Sequence, residues 1–254
     1  MKVTYLGTAS VLLEYGGLRI ITDPVLDPPG RVYSFGPWYA PKGWFASTRS
    51  YAAPLTVAEL GALDVALISH DQHADNLDEA GRALLRGVPF VITNPHAARR
   101  LKATGLAAGE STTVDGVTVT AVPARHGPRF TPQVSQVTGF LLAAEGEPTV
   151  WISGDTVLSP ELRAALPTLR ADVAIIHCGG VTFPKAPLFG PLVFTFDAPH
   201  VVEAIELLQP RIVIPVHRNG WAHFEPESRL RAAIEAAGLT PSTHYLELGE
   251  STTV

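Results

Sequence analysis

Cysteine is almost missing from this chain of 254 residues: Cys178 stands alone, which excludes an internal disulfide and any zinc cluster built on thiolates. No apolar run approaches the roughly 18 residues of a membrane helix. The opening Met1-Lys2-Val3-Thr4-Tyr5-Leu6-Gly7 meets polar and glycine positions too early for a secretory signal. A surplus of basic charge is missing too. With 19 Lys+Arg against 24 Asp+Glu the net charge is −5, which argues against a nucleic-acid backbone as the main partner. Charged residues make up 17% and hydrophobic ones 46%, a balance that supports a packed core and excludes disorder. No repeat, low-complexity tract or long linker divides the chain. The expectation is a cytoplasmic protein folded as one domain over residues 1–254, without membrane insertion.

What is present begins with β-structure. Lys2 to Leu6 alternates, Val11 to Tyr15 follows, and Gly16-Gly17 offers the positive-φ positions of a tight hairpin before Leu18 to Thr22. A second hairpin is written around Asp115-Gly116, between residues 112–114 and 117–120. Further short apolar runs read as strands at 65–68, 90–93, 139–143, 149–152, 173–176, 212–216 and 245–248. Helical spacing predicts helices at 77–85, 95–103, 160–166, 199–208 and 227–237. Strands come first, then strand and helix alternate, and a strand closes the chain. That order suggests an α/β protein of two packed sheets covered outside by helices. Two long stretches fit no regular element. Residues 28–52 hold Tyr33, Phe35, Trp38, Tyr39, Trp44, Phe45 and Tyr51, and residues 181–196 hold Phe183, Phe189, Phe194 and Phe196 among several prolines. Loops this long inside a compact protein act as lids or binding walls, or else pack over a sheet edge.

The densest polar segment is Ser69-His70-Asp71-Gln72-His73-Ala74-Asp75-Asn76-Leu77-Asp78, between a strand and a helix. Imidazoles and carboxylates delivered by a strand end suit a borderline divalent ion. The plainer reading is a solvated turn in which Asp75 or Asp78 caps the helix. Three more polar residues follow predicted strands: His126 after Pro123-Ala124-Arg125, Asp155 after Ser153-Gly154, and His217 after Pro215-Val216. Each alone would pass as a cap or a surface histidine. Placed alike, they can converge at one sheet edge.

These segments, together with residues 5–14 and Ile20-Ile21-Thr22-Asp23-Pro24-Val25, resemble the metallo-β-lactamase superfamily of metal-dependent hydrolases. The branch with ascorbate-6-phosphate lactonase and N-acylphosphatidylethanolamine phospholipase D-like proteins is the most similar, and the order of segments is kept from residue 3 to about 248. The resemblance implies a four-layer αββα sandwich of two mixed sheets. It also implies metal ligands at His126, Asp155 and His217. The family's His-x-His-x-Asp-His motif is altered here by one extra residue. Asp75 matches its aspartate and His73 its second histidine. The first position falls to His70, reached across a bulge, or to Asp71, and Asn76 stands where the last histidine would be.

The implied chemistry is a divalent metal, zinc expected and manganese the alternative, that activates water. One ion would be firmly held by His70, His73, His126 and Asp155. A second, at Asp75, Asp155 and His217 with Asn76, would be weak or absent. Asp75 or Asp155 would carry the proton, while Asp23 and Asp78 would hold the far nitrogens of ligand histidines. His177 and His223 would line the pocket. Gln72 would bind a substrate oxygen or fill space. The expected substrate is a small lactone or ester. A phosphodiester, recognised by Arg125, Arg129 and Arg218, is the alternative, and a catalytically weakened metal-binding or regulatory protein is a third reading. Relatives often associate into homo-oligomers, although no surface here reads as an interface.

Overall fold

The computed structural model describes residues 1–36, 43, 45–130, 136–183 and 192–254. The chain opens with β1 (Lys2–Gly7), β2 (Ser10–Tyr15) and β3 (Leu18–Thr22), an antiparallel meander. A small ribbon of β4 (Val32–Ser34) and β5 (Ala46–Thr48) and the helix α1 (Val57–Leu60) come next. Then follow β6 (Val65–Ile68), α2 (Glu79–Leu84), β7 (Phe90–Thr93), α3 (Pro95–Leu101) and β8 (Thr104–Gly105). The next strands are β9 (Ser111–Val114), β10 (Val117–Val122), β11 (Gly139–Ala143) and β12 (Val150–Ile152). After them come α4 (Pro160–Leu169), β13 (Val173–His177) and a ribbon of β14 (Thr182–Phe183) and β15 (Leu192–Val193). The chain ends with α5 (Ala198–Leu208), β16 (Ile212–Val216), α6 (Glu227–Ala236) and β17 (Ser251–Thr253).

Two mixed sheets result. One has the order β17-β1-β2-β3-β6-β7-β8 and the other β16-β13-β12-β11-β10-β9. Their strands are apolar on both faces, and alternate residues feed different layers. Val11, Leu13 and Tyr15 of β2 point to the core between the sheets, where Val173, Ile175, Ile214 and Val216 meet them. Leu12, Ile21, Ala66 and Ile68 point outward against Leu60 of α1 and Leu77, Leu85 and Val88 around α2. On the far side Trp151, Ala174, Ile176 and Val213 pack under α4, α5 and α6 through Leu162, Leu166, Val201, Ile205, Leu230 and Ile234. The layers are therefore helix, sheet, sheet, helix, as the order of elements suggested.

Both predicted hairpins are present. Gly16 and Gly17 have φ of 57° and 82°, and Asp115 and Gly116 have φ of 41° and 85°, as a type I′ turn requires. Two expectations need correction. Residues 245–248 are not a strand, and the strand that closes the first sheet is Ser251–Thr253, paired antiparallel with β1. The carbonyl of Leu246 is taken by the Arg218 guanidinium, so it is not free for a ladder. The helix expected at 77–85 is shorter. Residues 73–77 form their own turn, with Leu77 N–H donating to the His73 carbonyl, and Asp78 is extended and caps Gly81. Of the two aromatic loops, Trp38, Tyr39, Trp44 and Phe189 lie outside the described residues.

Strand direction decides where the site forms. β3, β6 and β7 run parallel, as do β12, β13 and β16, and β10 points the same way as β12 across antiparallel β11. The segments that leave these carboxyl ends meet where the sheets touch: Thr138 N–H donates to the Ser69 carbonyl at 3.1 Å. Gly154 makes that approach possible. At φ 62°, a Cβ there would stand 2.7 Å from the Thr138 carbonyl oxygen and 2.9 Å from Ser69 Cβ. Gly81 of α2 serves the other side, because a Cβ on it would lie 2.0 Å from the Pro24 carbonyl oxygen. Gly81→Ala should therefore lower stability by about 1–3 kcal/mol through overpacking, despite a helix-propensity gain of about 1 kcal/mol. Denaturant melts check this, and a stabilised variant would refute the close seating of α2 on Pro24.

Candidate metal centre

His70 and Ser69 leave β6 and enter the polar turn. The His70 ring is fully buried, and its Nε2 lies 3.3 Å from His73 Nδ1. His126, carried past the end of β10, brings its Nε2 to 3.0 Å from the same His73 nitrogen. Donors bound to zinc at about 2.0–2.1 Å along tetrahedral directions stand roughly 3.3 Å apart. The three imidazoles meet that spacing. Two of the rings are oriented from behind. His126 Nδ1 donates to the Phe194 carbonyl at 2.8 Å, which leaves Nε2 as the lone pair facing His73. His70 Nδ1 meets Ser69 Oγ at 3.0 Å.

A second group stands beside the first. Asp75, Asp155 and His217 place one donor atom each within 4.8 Å of one another, and all three are buried. His217 follows β16 directly in a left-handed conformation, φ 53°, and its N–H donates to the carbonyl of Thr8, itself at φ 54°, at 2.6 Å. Its ring lies 3.5 Å from Asp75 Oδ2 through Nε2 and 3.5 Å from Asp155 Oδ1 through Nδ1. Among the described residues, Asp75 Oδ1, Asp155 Oδ1 and both ring nitrogens of His217 have no hydrogen-bond partner. Buried polar atoms without partners are costly. A divalent cation would satisfy carboxylate oxygens and an imidazole lone pair together, so both donor sets fit one.

Electrostatics agree. Burial raises Asp155 to about 7 and Asp23 to about 8. Burial opposes ionisation of Asp75 as well, but His217 and His223 hold its carboxyl well below the usual range. Burial depresses His217, and Asp155 and Asp75 more than reverse that. Burial drives His70 well down and His126 and His177 to about 3. Without a cation, then, one of the two facing carboxyls keeps its proton while the other is ionised.

The remaining candidates separate by what they touch. Asp23 accepts from Ser69 N–H at 2.7 Å and from Asn76 Nδ2 at 3.4 Å, one step removed from His70. His177, at the end of β13, lies 3.8 Å from Asp155 and 3.9 Å from Asp23. Gln72 reaches Gln136 at 3.4 Å. Exposed Arg129 borders a groove of about 740 Å³ with Arg125, His96 and Gln136. Three expectations fail. Among the described residues, Asp23 holds no ring nitrogen of a proposed ligand histidine: its oxygens accept from Ser69 and Asn76, while Ser69 Oγ and the Phe194 carbonyl meet His70 and His126. Asp78 holds no histidine: its oxygens accept from Gly81 and Asp27 N–H, which caps α2 and ties it to the loop after β3. Arg218 does not face the pocket: it is buried against Glu227 and the carbonyls of Pro215 and Leu246, between the rings of Tyr5 and Tyr245.

His223 is more engaged than a wall residue. Its Nε2 lies 3.2 Å from Asp75 Oδ2 and its Nδ1 2.6 Å from Ser47 Oγ on β5. Phe35, next to β4, packs 4.7 Å from the His223 ring and 5.6 Å from that of His73. No spacing rule links Ser47 or Phe35 to residue 73 or 223, and sequence reasoning passed over both contacts.

Residues 2–217 match the family described as a beta-lactamase superfamily domain. The chain is 28% identical over 264 residues to a UPF0173 metal-dependent hydrolase of Pelotomaculum thermopropionicum, with 99% of each chain covered. It is 26% identical over 263 residues to another of that name from Archaeoglobus fulgidus, covering 99% of this chain and 98% of the relative. Among solved structures, the isothiocyanate hydrolase from Delia radicum gut bacteria superposes with a TM-score of 0.82 at 21% identity, over 100% of this chain and 99% of that one. CmlA, a diiron β-hydroxylase from Streptomyces venezuelae, gives 0.70 at 20% identity over 100% of this chain and 54% of its own.

The buried groups make a stability prediction for the metal-free protein. Histidines depressed on folding lose stability as pH falls below about 6.5. Asp155 and Asp23, raised on folding to about 7 and about 8, contribute stability that is lost as pH rises through those values, and His217, also raised, acts in the same direction. Chelated protein should therefore melt highest near pH 6.5 and decline toward pH 8. Zinc-loaded protein should not decline, since metal binding strengthens as ligands lose protons. A chelated protein that keeps gaining stability up to pH 8 would contradict protonated carboxyls in the cavity.

Proposed function

The chain belongs to the beta-lactamase superfamily, has the metallo-β-lactamase fold and is a metal-dependent hydrolase of that superfamily; from that premise we propose that it hydrolyses a small lactone or ester with zinc. In this reading residues 1–254 act as one domain. His70, His73 and His126 hold one ion; Asp155, expected at both positions, groups with Asp75 and His217, which hold a second, weaker one. The observation that carries the reading is the pair of adjacent buried donor groups, imidazole in one and mainly carboxylate in the other.

When bound, the cation supplies a water acidified from a pKa of about 16 to about 7 and an electrophilic contact for the scissile group's oxygen. The protein's part follows from its own atoms. The Phe194 carbonyl and Ser69 hold the far nitrogens of His126 and His70, so these rings need no reorientation when a ligand arrives. Asp155 can take a proton from water at one stage and return it to the leaving oxygen at another, and Asp75 is the alternative carrier. His223, placed by Ser47, steadies Asp75 Oδ2. Phe35, Trp221 and His223 form an aromatic wall that suits an apolar or ring portion of a substrate.

A carbon electrophile is preferred over phosphorus because one of the three arginines that motivated phosphate recognition, Arg218, is committed elsewhere, and Arg125 lies 3.7 Å from Glu161. The isothiocyanate hydrolase of the same fold acts on a compact carbon electrophile by its name, so isothiocyanates belong on the substrate panel.

Zinc-reconstituted protein should turn over lactones or aryl esters, chelation should abolish it, and Asp155→Ala should cost at least about a hundredfold in kcat/KM with the fold retained. Metal bound without turnover on lactones, esters, isothiocyanates and bis-aryl phosphates would return the protein to the binding or regulatory reading. Turnover confined to bis-aryl phosphates would favour the phosphodiesterase. Zinc titration against a chromophoric chelator should show two affinities, and His223→Ala should weaken only the lower one. An unchanged titration would remove His223 from the second position.

A further inference from the structure

Outside the metal centre, positive charge collects at one place. Between α2, the 3-10 turn Leu85–Gly87, α3 and strands β7 and β8 lies a cavity of about 600 Å³. Arg82, Arg86, Arg100 and Lys102 line it, and no Asp or Glu does. In a chain of net charge −5 this is a local reversal of sign. Basic residues at helix C-termini are favoured by the helix dipole. That accounts for one cation at each end, not for four around one concavity.

Among the described residues, the carboxylate that serves this group stands behind it. Buried Asp71 accepts from Arg100 Nε at 2.8 Å and is paired again by the Arg100 terminal nitrogen. Arg82 donates to the Asp71 carbonyl and lies 3.8 Å from its carboxylate. One negative charge is thus shared by two arginines. Exposed Arg86 and Lys102 form no ion pair among the described residues.

We propose that this cavity binds a small phosphate-bearing anion at a site separate from the metal centre. Guanidinium forks match phosphate oxygens in charge and geometry. The volume is that of a small-molecule site, and Leu85, Val88 and Pro89 beside the cations offer an apolar wall for the rest of the molecule. An extended nucleic-acid backbone would need a basic stripe rather than one concave cluster.

The cavity is also wired to the metal-binding turn. Asp71 sits between His70 and His73, so an anion that engages Arg82 or Arg100 competes with the Asp71 carboxylate that holds this turn. Phosphate and metal affinities are then linked, and the linkage is reciprocal. This second part rests on the metal-centre reading above; the binding site itself does not.

Isothermal titration of the full chain with inorganic phosphate tests the proposal. Saturable binding is expected, weakened about tenfold or more by Arg86→Gln with Lys102→Asn. Neither residue touches Asp71, and asparagine tolerates the left-handed backbone at position 102, φ 55°. Thermal melts establish that the double variant is folded. Asp155→Asn should leave phosphate binding intact while impairing metal binding, so the failure of either reading shows separately. Three results overturn the proposal: no saturable binding, binding lost in Asp155→Asn but kept in the double variant, or binding only to phosphatidic acid vesicles or a DNA duplex and not to free phosphate. The linkage is read from zinc affinity with and without phosphate. A shift in wild type that disappears in the double variant supports it, and equal zinc affinities refute it.

Discussion

Two carboxyl groups forced to face each other out of water are the constraint around which this site is organised. Asp75 and Asp155 both approach His217, and the second imidazole within reach, His223, pairs with Asp75, so Asp155 is left without a charge of its own to neutralise it. The protein alone settles the conflict by leaving one carboxyl protonated. A divalent cation would settle it differently, by favouring the ionised form of both. The neighbouring trio poses the complementary problem: three imidazoles, His70 and His126 buried and His73 partly so, turn nitrogens toward one another. Neither group is comfortable by itself, and the same kind of ligand would relieve both.

Holding such groups in place costs backbone freedom and polar contacts elsewhere. Thr8, Asp23 and His217 all take left-handed conformations that side chains rarely adopt, and all three lie at strand ends beside the site. The strain is distributed over a frame that resists relaxation. Asp23 grips the Ser69 amide, Thr8 receives the His217 amide, and the Tyr5–Tyr51–Asn219 hydrogen bonds brace the loop that follows His217. Asp78 belongs to this frame too, as a helix cap that also ties the 23–27 loop to α2.

Arginine placement shows how position within the fold outweighs position in the chain. Arg218 is adjacent to a site residue, yet it is buried as a strut between two tyrosine rings. Arg82 on α2 and Arg100 on α3 belong to different helices, and they converge on Asp71 inside the polar turn. Side chains on a strand end alternate between faces, so the neighbour of a residue facing the site usually points away from it.

Much of the architecture is legible without coordinates, because period-2 apolar patterns and turn residues are local signals. Most strands, both glycine or aspartate-glycine hairpins and the helix start at Ser159-Pro160 follow from them. The polar turn and the three solitary residues after strands are legible as well, since unusual residues at the ends of apolar runs stand out. The strand at 251–253 escaped because its short polar segment takes its place only by pairing with β1, 247 residues away along the chain. Ser47 escaped for a related reason, and Phe35, legible as part of an aromatic loop, shows its contact with His73 and His223 only in the fold. By itself, the chain determined its α/β layers and the kinds of donor it could bring to a sheet edge. Tertiary packing decided which of them meet, that His223 joins His217 beside Asp75, and that Asp78 and Arg218 serve the scaffold. The reason is physical. Backbone preference and hydrophobic period act over a few residues, whereas hydrogen bonds and ion pairs form only between atoms brought within about 3–4 Å by the whole fold.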